Sequence, residues 1–288
     1  MRYGMKPNTA CPDHWWANLL FISNFYKADS MCMPWTYYLV NDLQFSLLAP
    51  LVAIPLLCYP VIGFLLVVLL IGVQITSVMV INTGINGSIL RMSNTDYFSK
   101  VYVKPYCRVG AYAIGLGLGY LLYTGDKKIR LRQIPLYVGW VVCLAVVAIL
   151  PYITYMENQV GGDRWSGIET SLYEAISRPS WALAVAWVIF TCCNGQGGFI
   201  SKILSWNFFI PLCRITYGVF LIHPILIEVS LNSGYSNQYV TFGQMTYGYI
   251  ANFVSCWCLA LMFIVIIEQP FTSIEALVRT HLTSKKTR

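Results

Sequence analysis

Long runs of apolar residues, separated by short polar segments, fill most of the chain after residue 35. A helix that crosses the hydrocarbon core of a bilayer needs roughly 20 such residues. The runs predict seven spans, of which the fifth is short, with a tight turn at Pro60 between the first two. Their predicted bounds are 36–58, 61–82, 108–124, 134–155, 179–194, 212–230 and 244–268. The pattern therefore predicts an all-α fold, a polytopic transmembrane helical bundle.

Composition supports a membrane protein surrounded by lipids and argues against two other classes. Hydrophobic residues make up 57% of the chain and charged residues 11%, whereas soluble domains are about 25% charged. The net charge of +7 comes without a basic run interleaved with aromatic residues, so we expect no nucleic-acid partner. The ten cysteines show no paired Cys/His spacing, so we expect no metal site, and we expect no bound cofactor.

Basic residues predict how the chain is oriented in the membrane. Residues 125–133 contain four Lys and Arg residues against one Asp, a bias typical of the cytoplasmic side. The basic tail, residues 271–288, follows four spans later and therefore falls on the same side. Residues 1–35 are then lumenal or extracellular, and residues 36–270 form the membrane domain. The endoplasmic reticulum and the plasma membrane both fit this prediction.

Two covalent modifications are expected on the outer side. Asn86 starts an Asn-Gly-Ser sequence in an outer loop, which is a glycan acceptor pattern. Cys11 and Cys32 share the same oxidising compartment, which favours a disulfide between them. The alternatives are two free thiols or a bridge that involves Cys107, which is also predicted outside.

A cluster of polar residues lies inside the first predicted span. Asn41 and Gln44 flank Asp42, and Tyr38 lies one turn before Asp42 on the same helix face. A carboxylate in the membrane costs on the order of 2.5–3.5 kcal/mol on insertion scales, so it is expected to have a partner or a chemical task. We interpret Asp42 as catalytic and Tyr38, Asn41 and Gln44 as substrate-binding. The alternative is a packing network that satisfies Asp42.

His223 and Pro224 are the notable pair of the sixth span. Pro224 has no N–H and so frees a carbonyl one turn earlier, which predicts a bend. His223 is predicted at the same depth as Asp42, roughly 10 Å at 1.5 Å per residue. A pair at one level would orient the imidazole for proton transfer, and we interpret His223 as catalytic. The alternative is a structural hydrogen bond between helices.

Two charged residues lie at predicted helix ends. Arg108 begins the third span, and we interpret it as a substrate-binding residue that neutralises an anionic group. The alternative is a side chain that extends to the headgroup region. Glu268 is followed by Gln-Pro, and we interpret it as structural, at the end of the last span, where Pro270 stops the helix.

Several segments together are similar to a known family. The most specific are Cys-Pro-Asp-His-Trp-Trp-Ala-Asn-Leu-Leu-Phe-Ile-Ser-Asn-Phe at 11–25 and Tyr-Leu-Val-Asn-Asp-Leu-Gln-Phe at 38–45. They resemble the nose-resistant-to-fluoxetine proteins of invertebrates, members of the membrane acyltransferase-3 superfamily. Asp42, Gln44 and Phe45 match the superfamily's acidic, Gln and Phe positions, whereas Tyr37 stands where Trp is usual. The resemblance continues in order through the segments 104–110, 115–122, 220–224 and 268–270.

The resemblance implies an integral-membrane acyltransferase. Such an enzyme would transfer an acyl group from acyl-CoA, as co-substrate, to a hydroxyl of a lumenal or extracellular acceptor. It also implies about ten membrane helices, and the first of them, with the presumed catalytic histidine and an Arg-rich motif, would precede residue 1. A lipid or small-molecule transporter, with Asp42 and His223 in a polar cleft, is one alternative, although no repeat is visible. A catalytically inactive regulatory isoform is the other.

Overall fold

All of the regular secondary structure in the described residues is helical, as the sequence predicts. The structure is a computed structural model, and it describes residues 11–27, 30–85, 95–125, 131–159, 165–232 and 241–286. The chain divides into two compact units. The larger unit comprises residues 8–203, and the smaller unit comprises residues 1–7 and 204–288.

The larger unit contains both short amphipathic pieces and long apolar helices. Its helices are α1 (Cys11–Leu19), α2 (Tyr37–Cys58), α3 (Pro60–Ile85), α4 (Thr95–Tyr97), α5 (Val109–Thr124), α6 (Gln133–Gln159) and α7 (Gly167–Cys193). Helix α8 (Gly198–Leu204) ends at the boundary between the units. Single helical turns at Ser23–Phe25, Pro34–Thr36, Phe98–Tyr102 and Pro105–Cys107 connect these elements.

The smaller unit is built from helices that follow one another closely. They are α9 (Phe209–Asn232), α10 (Phe242–Phe263) and α11 (Gln269–Lys286), with a π-helical turn at Ile264–Glu268 between the last two. Helix α9 packs along α10, where Gly218 faces the backbone and side chain of Ala260.

Six helical stretches in the described residues are long and apolar enough to cross a membrane. Their bounds are Pro34–Cys58, Pro60–Ile85, Gln133–Met156, Gly167–Cys193, Phe209–Ser230 and Phe242–Thr280. The third predicted span is also a helix, α5, but its 16 residues make it shorter than the other six. The prediction of a multi-pass helical membrane protein is therefore confirmed, with six full-length helices and one short one.

The hairpin of α2 and α3 has the tight turn that the sequence predicts. Only Tyr59 lies between Cys58 and Pro60. Gly63 allows α3 to approach α2 closely, since a Cβ at this position would lie 2.5 Å from the Cα of Leu56. Small residues at helix contacts permit such close backbone packing in membranes.

Helix α3 is the centre of the larger unit, because it contacts α2, α5 and α7, while α6 packs on α7. A helix that is apolar on all sides is typical of a membrane span or a buried core. One apolar cluster joins α2, α3 and α5, and a second joins α3, the segment 95–107 and α7. Their buried residues are Val52, Leu56, Val67 and Ala113 in the first cluster, and Val78, Tyr97, Val101, Cys107 and Ala175 in the second.

The predicted start of the fifth span at residue 179 is wrong. Helix α7 begins at Gly167, because Ser166 and Glu169 form a capping box. The Glu169 N–H donates to Ser166 Oγ at 3.3 Å, and the Ser166 N–H donates to Glu169 Oε2 at 2.9 Å. Pro179 lies inside the helix rather than at its start. Residues 167–178, which lie between the fourth and fifth predicted spans, therefore carry their side chains on a helix.

The prediction that Pro270 stops the last helix is also wrong. Glu268 ends the π-helical turn, and α11 continues from Gln269 to Lys286. Pro270 follows this π-helical turn after one residue, and the helix continues through it. The structural role assigned to Glu268 stays a prediction, and the residue is exposed.

Candidate functional site

A disulfide anchors the start of α1 to the residues that precede α2. Cys11 and Cys32 form this bridge, which confirms the predicted pairing. Cys107 is buried and free, so it does not form the alternative bridge. The bridge holds α1 beside the entry to the first apolar helix, where the candidate site residues begin.

A network of carboxamides joins the start of the chain to α2. The Nδ2 of Asn24, which is fully buried, donates to Asn41 Oδ1 at 2.7 Å and to Gln44 Oε1 at 2.9 Å. The Gln44 Nε2 donates to the Phe21 carbonyl at 3.0 Å, and the Asn41 Nδ2 donates to the Val103 carbonyl at 3.2 Å. These amides therefore have protein partners, and substrate binding by Asn41 and Gln44 stays a prediction.

Asp42 lies on a different side of α2 from these amides. Its side chain is exposed in the larger unit, as is Tyr38 one turn earlier. Phe45, three residues after Asp42, is instead buried against Tyr112 at a ring distance of 5.2 Å. Among the described residues, none forms a hydrogen bond or a salt bridge with the Asp42 carboxylate. The Asp42 carboxylate therefore does not hold the described residues together through an ion pair or a hydrogen bond.

Arg108 lies between two tyrosine rings at the start of α5. Its guanidinium carbon is 4.9 Å from the ring centre of Tyr37 and 4.5 Å from that of Tyr102. The Arg108 Nε also donates to the Tyr102 carbonyl at 2.6 Å. Cation–π contacts of this kind favour a cation that is partly removed from water.

Arg178, from the middle of α7, reaches the same cluster. Its Nη1 donates to the Cys107 carbonyl at 3.1 Å, and its Nη2 donates to the Tyr97 hydroxyl at 3.4 Å. Its guanidinium carbon lies 5.7 Å from the ring centre of Tyr102. The Tyr97 hydroxyl in turn donates to Oε2 of the buried Glu174 at 2.8 Å. Two arginines from separate helices thus flank one tyrosine.

The electrostatics of this cluster follow from burial and from its excess of positive charge. Burial raises the pKa of the Cys107 thiol to about 11, against the opposing effect of Arg178, Arg108 and Lys104. Within the described residues, neither arginine forms a salt bridge with a carboxylate. We call Arg108, Arg178, Tyr37, Tyr97 and Tyr102 the arginine–tyrosine cluster.

A glutamine from α3 fixes the start of α5 and so the position of Arg108. Gln74 is fully buried, and its Oε1 accepts the N–H groups of Gly110 at 2.8 Å and Ala111 at 3.3 Å. Backbone N–H groups in the first turn of a helix have no acceptor within that helix. The Gln74 side chain therefore takes the place of a capping residue for Gly110 and Ala111. Gly110 leaves room for it, since a Cβ there would lie 2.8 Å from the Gln74 Oε1.

In the smaller unit, His223 lines an open apolar groove of about 530 Å³. Its Nδ1 lies 3.1 Å from the Val219 carbonyl, one turn earlier in α9. When Nδ1 carries the proton and donates it to this carbonyl, Nε2 keeps a lone pair and can accept a proton. Pro224 lies inside α9 directly after His223. The groove also contains Thr216, Val219, Phe220, Ile227, Tyr249, Asn252, Phe253 and Cys256.

The structure brings some of the predicted site residues together and leaves other predictions open. Arg108 forms cation–π contacts with Tyr37 and Tyr102, whereas Asn41 and Gln44 form hydrogen bonds with Asn24. Asp42 belongs to the larger unit and His223 to the smaller unit, so their pairing stays a prediction. Asn86, the predicted glycan acceptor, lies outside the described residues.

The sequence interpretation missed Arg178, Glu174 and Asn24. Its span bounds left Glu174 and Arg178 between the fourth and fifth spans, although the Ser-x-x-Glu pattern at Ser166 marks a helix start. With that start, Glu174 and Arg178 fall four residues apart on one helix, which is a visible signal. Asn24 carried no such signal, because its partners lie on another helix.

Comparisons with known proteins agree with this architecture. The family model described as an acyltransferase domain matches residues 4–268. Nose resistant to fluoxetine protein 6 of Caenorhabditis elegans is 31% identical, in an alignment that covers 92% of this chain and 34% of that protein. The chain therefore spans about a third of the length of this relative. No solved structure matches the chain. A family match over most of a chain with six membrane-length helices shows that the protein belongs to the acyltransferase-3 family of membrane proteins.

Proposed function

We propose that the protein transfers an acyl group from acyl-CoA to a hydroxyl of a lumenal or extracellular acceptor. The observation that carries this proposal is the family match over residues 4–268. The chain spans about a third of the length of its relative, so the activity of the whole protein is a proposal.

Asp42 is the proposed general base. Its carboxylate lies in the first membrane-length helix, is exposed in the larger unit and makes no hydrogen bond or salt bridge with the described residues. In the proposed reaction, the acceptor oxygen attacks the thioester carbonyl while its proton passes to Asp42. The carbon–sulfur bond then breaks, and coenzyme A leaves as a thiol after taking up a proton. Tyr38, exposed one turn away, would contact the substrate.

His223 is the proposed second group for proton transfer. A proton on Nδ1 that is donated to the Val219 carbonyl leaves Nε2 as the basic nitrogen. The apolar lining of the groove beside it suits an acyl chain or a lipid tail. Arg108 is the proposed contact for an anionic substrate group, because it is a half-buried cation without a salt bridge in the described residues.

The proposed orientation places the N-terminus in the lumen or outside the cell and the C-terminus in the cytoplasm. The basic residues around 125–133 and in the C-terminal tail support it. The disulfide between Cys11 and Cys32 supports it too, because such bonds persist in oxidising compartments.

The Asp42→Asn substitution tests the proposed reaction. We expect it to lower the transfer of labelled acyl groups by about 10²–10⁴-fold, the usual contribution of a positioned acid or base. The measurement uses the native protein reconstituted in lipid vesicles, with labelled acyl-CoA and an extract that contains hydroxyl acceptors.

The matched control is Asp96→Asn, which removes an exposed carboxylate that is paired with Lys100 at 3.2 Å. We expect this variant to retain full transfer. Full transfer by Asp42→Asn would remove Asp42 from the mechanism. Uptake of a lipid or small molecule by the wild-type protein, without any acylated product, would contradict the proposed function and favour transport.

A further inference from the structure

We propose that Arg108 and Arg178 together form a binding site for a phosphate group. The sequence interpretation missed Arg178, and the site needs both side chains. The proposal deepens the role given above to Arg108, and it rests on the proposed function only for that residue's part in substrate binding.

The first argument is that the two arginines share one ring. Their guanidinium carbons lie 4.5 Å and 5.7 Å from the centre of Tyr102. Two half-buried cations beside one ring repel each other, and the larger unit must hold them there by other contacts.

The second argument is that positive charge exceeds negative charge among the described residues of this cluster. One buried carboxylate, Glu174, accepts the Tyr97 hydroxyl, which in turn accepts from Arg178, so a single carboxylate lies beside two arginines. Tyrosine rings offer partial compensation through their electron-rich faces. An anion that reaches both guanidinium groups would remove the repulsion and gain charge-assisted hydrogen bonds.

The third argument is that packing uses only part of each guanidinium fork. Arg108 donates through Nε to the Tyr102 carbonyl, and Arg178 donates one N–H each to the Cys107 carbonyl and the Tyr97 hydroxyl. Each guanidinium has five N–H donors in a fixed plane. Both side chains are half-buried, and the remaining N–H donors are the ones that the proposed phosphate would engage.

The number of oxygens favours phosphate over carboxylate. A carboxylate has two oxygens, which one guanidinium fork is enough to engage. A phosphate monoester has three terminal oxygens and a larger charge, so it can engage two forks from different helices at once. The monoester could belong to a lipid headgroup with a terminal phosphate or to a soluble phosphate ester, because the chemistry of recognition is the same.

Thermal unfolding in the presence of inorganic phosphate tests the site on the whole chain in detergent. At constant ionic strength, phosphate in place of chloride should raise the unfolding midpoint of the wild-type protein, as expected for a ligand of the folded state. Arg178→Gln and Arg108→Gln should each weaken phosphate binding by about tenfold to a hundredfold, since each removes charge-assisted hydrogen bonds. Lys100→Gln, which removes an exposed cation of the same segment, should leave the rise unchanged.

Three results would overturn the proposal. They are no phosphate-dependent rise in the wild-type protein, an equal rise in Arg178→Gln, or an equal rise of the wild-type midpoint with acetate. If the glutamine variants fail to fold, Arg178→Lys keeps the charge without the planar fork and should still bind phosphate more weakly than the wild type.

Native mass spectrometry of the purified protein distinguishes the two sources of phosphate. Retention of a lipid with a terminal phosphate by the wild type, its loss from Arg178→Gln and its displacement by inorganic phosphate would identify a headgroup. A response to inorganic phosphate without any retained lipid would identify a soluble ester. Asp42→Asn should bind phosphate normally while losing acyl transfer, so a failure of this proposal differs from a failure of the proposed reaction.

Discussion

At the scale of single residues, burial raises the pKa of Cys107, which lies next to Arg108 in the chain. The cause is removal from water, which disfavours the charged thiolate. The three nearby cations, Lys104, Arg108 and Arg178, favour a thiolate, yet the burial of Cys107 outweighs them. The thiol is therefore neutral at physiological pH and serves as an apolar residue of the core.

We predict that Cys107 makes the protein less stable in alkali. The unfolded thiol loses its proton near pH 9.0, whereas the folded one keeps it to about 11. The unfolded state then binds fewer protons between these values, so stability is complete below pH 9 and falls as the pH rises. Cys107→Ala should reduce this fall by roughly 2–3 kcal/mol, at about 1.4 kcal/mol per pKa unit. The measurement is the denaturation midpoint of each protein in detergent between neutral pH and pH 11.

Cys58→Ala is the control for this prediction, because Cys58 is free and exposed at the end of α2. Its pH dependence should match that of the wild type. If Cys107→Ala and the wild type lose stability in parallel, the buried thiol does not cause the effect.

At the scale of elements, the α2–α3 hairpin shows how close approach is built into a sequence. Pro60 begins α3 directly after Tyr59, and Gly63 then lies against the backbone of Leu56. The tight turn was predictable, because proline starts helices readily and cannot continue the preceding one. The role of Gly63 was not, because several glycines of these helices look alike in sequence. They differ only in whether a neighbouring helix packs against them, which the tertiary structure shows.

We predict opposite effects for two Gly→Ala substitutions in α3. Gly63→Ala should destabilise the protein by about 1–3 kcal/mol, because the new methyl group would lie 2.5 Å from the Leu56 Cα and overpack the contact. Gly72→Ala should be neutral or stabilising by up to about 1 kcal/mol, since it meets no atom within 4 Å and alanine favours a helix. Thermal unfolding of both variants in detergent checks the pair. Equal effects would show that the close approach at Gly63 is not required.

Two element boundaries show where local pattern and tertiary structure differ. The start of α7 was encoded locally, in the capping box of Ser166 and Glu169, but the apolar run begins later. The end of the last span was not encoded by Pro270, because a π-helical turn before it lets the chain continue as a helix.

At the scale of the whole molecule, one covalent bond links segments that the sequence separates by 21 residues. The disulfide of Cys11 and Cys32 holds α1 near the start of α2. The turn at Ser23–Phe25, between these two cysteines, then packs through Asn24 on Asn41 and Gln44. Closure of the loop and burial of the amides therefore support one another.

We predict that Cys32→Ser lowers the stability of the larger unit by about 3 kcal/mol, the usual loss of chain entropy for a loop of this length. Reductant should have the same effect on the wild type and none on Cys32→Ser. Cys213→Ser, which removes a free and exposed thiol, is the control and should match the wild type. Denaturation midpoints with and without reductant provide the measurement. A bridge found reduced in protein taken from cells with thiols blocked would contradict the proposed lumenal orientation.

The sequence by itself favoured the Cys11–Cys32 disulfide but left free thiols and a bridge to Cys107 open, and the structure decided among them. The sequence did determine the helical class, most helix positions and the family. These follow from local properties, because the bilayer requires runs of a certain length and hydrophobicity and the family blocks are contiguous. The tertiary structure alone decided which polar side chains meet. Helices that are apolar on nearly all sides do not show which face packs. For this reason no pattern joined Arg178 to Arg108, 70 residues earlier in the chain, or separated the buried Asn41 from the exposed Asp42 beside it.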